Sequence, residues 1–214
     1  MDAPTAAPVP RLRGALHAAA LVALVPAAIT LFALTSNGRE VAAVAFFVFG
    51  LAAMFGVSAL YHRGRWTPER KAILQRLDHS TIFLAISGTY TAMALLVLDG
   101  WERPTLLAIV WGGTLIGTVL QWLPRPPSRV VSAAIYAIVG WSAVLVLPQM
   151  LDGLGGVAFG FVVAGSLAYT AGAVAYATKR PNPFPATYGF HEVFHTCTIV
   201  GAGCHFVAIL LTLR

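Results

Sequence analysis

Apolar runs of roughly 20 residues recur along nearly the whole chain, separated by short charged or Pro/Gly-rich connectors. A run of that length matches the hydrocarbon core of a bilayer when it is helical. Seven are read, at about 15–35, 41–61, 77–98, 104–123, 129–148, 156–177 and 189–212. Only 10% of the 214 residues are charged while 58% are hydrophobic, too few charges to cover a water-soluble domain of this size. The expected fold is therefore all-α, an integral membrane bundle of seven transmembrane helices. Residues 1–14 form a tail and 15–212 a single membrane domain, which leaves no stretch for a soluble one.

The net charge of +6 does not indicate a nucleic-acid partner, because the cations sit in connectors, where they set topology. Eleven of the 14 Lys and Arg residues fall in the N-terminal tail or in the connectors after even-numbered spans. Arg39, Arg103 and Arg214 occupy the other face. The positive-inside rule then places the N-terminus in the cytoplasm and the C-terminus outside, which an odd number of spans requires. Arg11 and Arg13 ahead of an apolar run resemble a signal-peptide start. The run is long and no A-x-A site follows, so the first span is expected to be retained. Cys197 and Cys204 stand seven residues apart on one helix, too far to bridge each other, and are read as small packing residues.

Ionisable residues are costly in hydrocarbon and usually face a partner or a cavity. Here they are His17, His62, Asp78, His79, His191, Glu192, His195 and His205. The topology brings the start of span 1, the end of span 2, and the starts of spans 3 and 7 to one depth at the cytoplasmic boundary. His191 and His195 are i, i+4 and leave one helix face, and Ser58 and His62 share that spacing. Three neutral imidazoles at one level suit a tetrahedral zinc site with its fourth position open to water. Such a zinc lowers the pKa of bound water to about 7. Asp78 is then available as general base for that water or as support to the ligands, and Ser58 as hydrogen-bond donor to an oxyanion. A single intramembrane histidine more often donates a hydrogen bond to a neighbouring helix, and His17, His79 and His205 are read that way. His205 lies 14 residues beyond His191, roughly 21 Å further along the helix at 1.5 Å per residue.

His191, Glu192 and His195 also spell H-E-x-x-H, the helical signature of zinc proteases. A protease needs a third ligand from further along, yet no Asp or Glu follows His195, and Gly201 stands where the extended motif has its third histidine. The L-D-G tripeptides at 98–100 and 151–153 precede the motif instead of following it. An intramembrane metalloprotease is therefore a remote alternative. Glu192, turned about 100° from His191, ranks behind Asp78 as a base.

VSALYHR (57–63), RLDHSTIFLAISGTYT (76–91) and YGFHEVFHTCTIVGAGCHF (188–206) resemble, in order, the three signature segments of hemolysin III proteins. These are the bacterial branch of the progestin and adipoQ receptor superfamily. The resemblance implies seven spans with the N-terminus inside, in the plasma (inner) membrane of a bacterium. It implies a zinc ion held by His62, His191 and His195, with Asp78 reaching the metal through water. Alkaline ceramidases, in the wider grouping, pair a serine with this site, which here is Ser58. The implied activity is metal-dependent hydrolysis of a lipid amide or ester, with zinc-hydroxide as nucleophile and membrane lipids as partners and substrates. The alternative is non-enzymatic: a receptor-like, structural or membrane-perturbing (cytolytic, channel-like) protein whose zinc ties spans 2, 3 and 7. Two positions depart from the family pattern. RLRGALH (11–17) puts Arg13 where many members carry a glutamate and an asparagine before the first histidine, and Ala92 replaces the usual proline after G-T-Y-T.

Overall fold

A computed structural model describes residues 10–214. The chain folds as α1 (Ala15–Leu34), α2 (Gly38–Arg63), α3 (Pro68–Val97), α4 (Glu102–Trp122), α5 (Arg129–Gly140), a 3₁₀ turn (Ser142–Val146), α6 (Leu147–Thr178) and α7 (Phe190–Thr212). No strand occurs among the described residues, only an isolated bridge between Phe184 and Tyr188. Helices are the expected outcome for apolar runs of this length, because in lipid each backbone N–H and C=O must be paired within its own segment.

Several boundaries follow from local chemistry. Asn37 caps α2, its side chain accepting from the Arg39 and Glu40 N–H groups. Thr67 caps α3 by accepting from Arg70 N–H, with Pro68 in the first turn and Glu69 beside it. α3 therefore starts at Pro68, nine residues before the apolar run expected from 77. Hydropathy marks only the part of a helix that meets hydrocarbon, whereas the cap marks where the helix begins.

The exposure pattern is that of a protein solvated by lipid. Val22, Ile29, Leu115, Ile138 and Val157 are all well exposed on the outer faces. α3 is the central helix: 67% of its most apolar stretch is buried, against 17% for α1. Its inward polar groups are paired. Ser87 and Thr114 share a hydrogen bond, Trp111 Nε1 donates to Thr91 Oγ1 at 3.1 Å, and Tyr90 donates to the Gly140 carbonyl. α2 and α3 approach closely because Gly50 lacks a side chain; a Cβ there would lie 2.6 Å from the Leu84 carbonyl oxygen.

Six helices are long and apolar enough to cross a membrane when Arg129–Thr178 is counted as one run of 50 residues. Straight, that run would be about 75 Å long, more than twice the roughly 30 Å core of a bilayer. It is not straight. Gly155 adopts φ 72°, ψ 162°, a conformation open to glycine alone at little cost. Trp141 Nε1 donates to Thr170 Oγ1 at 3.0 Å, and the Arg129 guanidinium lies 5.9 Å from the Tyr176 ring centroid. Those contacts join the two ends of the run, so the chain folds back on itself near Gly155. Gly153, next to that turn, packs against Val97 at the far end of α3.

Candidate metal centre

Two helix ends meet at one end of the bundle. His62 leaves the last turn of α2, and His191 and His195 leave the first two turns of α7. One ligand nitrogen from each lies within 4.8 Å of the other two. His191 Nε2 and His62 Nε2 are 3.1 Å apart, close enough that a single proton or a cation must separate two ring lone pairs. Two imidazoles on one tetrahedral zinc would hold their nitrogens about 3.3 Å apart, given Zn–N bonds of 2.0–2.1 Å. The donor set and its spacing fit a metal ion.

The surroundings fit as well. Asp78, from α3, brings Oδ2 to 3.9 Å from His62 Nε2. Ser58, one turn before His62, buries an Oγ that has no hydrogen-bond partner among the described residues. Ser58, Asp78, His191 and His195 line a cavity of about 20 Å³, enough for one water molecule. The expected five residues are thus brought together from three helices.

His17 sits against them instead of apart. Its ring stacks on His195 with centroids 3.8 Å apart and planes 8° from parallel. Thr198 donates its hydroxyl hydrogen to the His195 carbonyl at 2.8 Å, so at 3.1 Å from His17 Nε2 it accepts. His17 therefore carries its proton on Nε2, and its buried Nδ1 has no partner among the described residues. His79 also lines the cavity and lies 3.3 Å from the Tyr176 hydroxyl through Nε2. Both make the helix–helix hydrogen bonds expected of them. His205 does not join the cluster; its Nε2 meets the Val162 carbonyl at 3.2 Å.

Glu192 is fully buried and both its oxygens are engaged. Oε1 pairs with Arg13 Nε at 2.5 Å, and Oε2 accepts the Gly189 N–H at 2.9 Å, which caps α7. It does not line the small cavity. The sequence reading missed Tyr176, whose ring centroid lies 5.9 Å from that of His191. Tyr176 closes span 6 at the cluster's depth, so extending the level argument from ionisable to aromatic hydroxyl groups would have found it. A second cavity of about 100 Å³ went unread. Met54, Ile82, Phe194 and Thr198 wall both cavities, and most of the larger one is apolar.

The fold and the site together define a class: a multi-pass membrane helix bundle with three histidines gathered at one end as a candidate metal site. A family model described as haemolysin-III related matches residues 6–206, and the chain belongs to that family. It is 28% identical over 197 residues to the Hemolysin-3 homolog of Bacillus subtilis (strain 168), covering 91% of this chain and 89% of that protein. It is 29% identical to Hemolysin-3 of Bacillus cereus, covering 91% and 87%. A more distant similarity, 27% over 169 residues, links 75% of the chain to 66% of the human monocyte to macrophage differentiation factor.

Proposed function

We propose that the protein is a zinc-dependent hydrolase of lipid amides or esters in a bacterial plasma membrane. The observation that carries this reading is the shared wall between the polar cavity and the larger apolar one. A substrate with an apolar chain in the larger cavity would present its head end to the residues around the smaller. Zinc held by His62, His191 and His195 would polarise a carbonyl and make water acidic enough to attack it near neutral pH. Asp78 is the residue that takes the water's proton, standing beside the histidines with no Lys or Arg paired to it among the described residues. Ser58 Oγ, buried and without a hydrogen-bond partner among the described residues, donates to the oxygen on which charge develops. Met54, Ile82 and Phe194, which wall both cavities, would hold the chain where it meets the head end.

The same reading takes the chain across the bilayer seven times, with the histidines near the cytoplasmic face. The fold-back near Gly155 supports seven crossings, and the excess of Lys and Arg at the histidine end supports the sidedness. A cysteine at Gly156 should then react with an impermeant thiol reagent from outside the cell, and one at Arg125 only after permeabilisation.

A structural role is the second reading, and one observation favours it. α2 and α7 both pack on α1 but scarcely on each other, and His62 and His191, 3.1 Å apart, join the two helices directly. The deciding experiment is incubation of purified protein with ceramides and fatty-acyl amides, alongside metal analysis. Fatty acid release that depends on zinc is expected. Release that persists in both Asp78→Ala and His195→Ala would sink the hydrolase; bound zinc without turnover on any such lipid would leave the structural role standing.

A further inference from the structure

The segment that enters α1 lies against the loop before α7 and against the end of α2. Arg11 N–H donates to the Ala186 carbonyl at 3.1 Å, and Leu12 N–H to the Thr187 carbonyl at 3.2 Å. Both acceptors belong to the loop just before α7. The next residue, Arg13, closes the ion pair to Glu192, with a side chain 22% exposed against 0% for its partner. Gly14 then turns the chain with φ 76°, so close to α2 that a Cβ would fall 2.7 Å from His62 Cβ. One turn later His17 stacks on His195. Four consecutive residues, Arg11 to Gly14, thus tie the base of α7 to the end of α2, and both of those elements carry candidate ligands.

We propose that residues 10–14 are a strap latched by Arg13 and Glu192, and that a divalent cation reaches or leaves the histidines when the latch opens. The proposal rests on the metal reading above but goes beyond it, since it assigns Glu192 to the latch and not to proton transfer. Arg13 and Glu192 are positioning residues in this arrangement. Their pairing has a physical signature, because the two charges act on a cation in opposite senses. Arg13→Gln leaves a carboxylate near the site, which would retain a cation; Glu192→Gln leaves a guanidinium, which would expel it. If only the local field mattered, the two variants would shift metal release in opposite directions. An opened latch speeds release in both.

The test uses the full chain in lipid nanodiscs, loaded with Co²⁺ and mixed with excess chelator while the cobalt absorption decays. Release at least roughly tenfold faster is expected in both single variants, a small part of what separating a buried ion pair costs. Because a lone buried charge could unfold either variant, the double variant Arg13→Gln/Glu192→Gln is measured too. It buries no lone charge and is expected to melt near the wild type while still releasing cobalt fast. Opposite shifts in the single variants, or a wild-type rate in the double, overturn the proposal. Amide hydrogen exchange on metal-free protein reads the latch alone: Arg11 and Leu12 should lose protection in Glu192→Gln, and unchanged protection there overturns the latch. A wild type that takes up no Co²⁺ overturns the metal reading and the exchange route with it, and the amide measurement still decides whether the strap is latched.

Discussion

α7 carries histidines at both ends, and the two ends have become different things. At its start, His191 and His195 meet His62 from α2, with Asp78 of α3 within reach. Further along the same helix, His205 has a carbonyl of α6 as its hydrogen-bond partner and lies beside the Tyr169 ring. The residue type and the helix are shared. What differs is convergence: three other histidines and a carboxylate surround the first pair, and among the described residues none surrounds the last. A histidine in a membrane helix becomes a candidate metal ligand when other elements deliver partners to its depth, and a helix–helix contact when they do not.

The strongest way to break that contrast is to remove a ligand. His191→Ala should lower zinc affinity by more than about 100-fold, beyond the 10–100-fold typical of residues that only support ligands. Metal content of protein purified in a weak chelator reads it, and wild-type zinc in the variant would dissolve the distinction between the two ends of α7. Asp78→Asn comes next. It keeps the side chain's shape and removes its basicity, so turnover on a lipid amide should fall by about 10²–10⁴-fold while zinc remains bound. Loss of zinc together with activity would show that Asp78 serves the metal and not the proton. Ser58→Ala should cost about 10²-fold in kcat at most, with metal content unchanged, because one oxyanion donor is removed.

The contrast between the ends of α7 was legible in the sequence because it depends on depth, and depth follows from counting residues along spans. His62, Asp78, His191 and His195 could be gathered by that count, and His205 set aside by its 14-residue separation from His191. The strap could not. Arg13 and Glu192 are 179 residues apart, and their pairing depends on how the chain before α1 turns at Gly14 and lies over the loop before α7. No periodicity encodes that path; the sequence showed only that Arg13 departs from a family pattern. The fold-back near Gly155 was half legible. Two apolar runs were read there, but they are joined by helix with almost no polar connector, so the run has the length of two spans and the continuity of one. The cavities were beyond reach for another reason: each is a void among residues of several helices, and a sequence pattern describes contacts a helix face can make, not those it fails to make.

Gly14→Ala probes the strap from the cluster's side. A side chain there meets two obstacles, the positive φ and the His62 Cβ at 2.7 Å. The backbone conformation alone costs about 1–2 kcal/mol, which should lower the melting temperature by a few degrees, and His62 must shift to make room. Zinc affinity should fall by roughly tenfold, less than in His191→Ala because no ligand is lost. A variant that melts earlier but binds zinc like the wild type would separate the strap from the cluster.

The smallest effect is expected at the other end of α7, and its smallness is informative. His205→Leu removes one hydrogen bond, from Nε2 to the Val162 carbonyl, and keeps an apolar group beside the Tyr169 ring. That carbonyl also accepts the Ser166 hydroxyl at 2.9 Å, so it keeps a partner when the imidazole is gone. The substitution also removes His205 Nδ1, a buried nitrogen with no hydrogen-bond partner among the described residues. One interhelical hydrogen bond in a membrane protein contributes about 0.6 kcal/mol, and removing an unpaired buried nitrogen offsets part of it. Stability should therefore change by less than about 1 kcal/mol, and zinc content not at all. His195→Leu, the same exchange on the same helix, strips the cluster of a ligand and leaves His17 without its stacking partner. Measured side by side, the pair isolates convergence from residue type: equal effects on metal content at the two positions would mean that His205 communicates with the cluster through the cavity wall they share at Thr198.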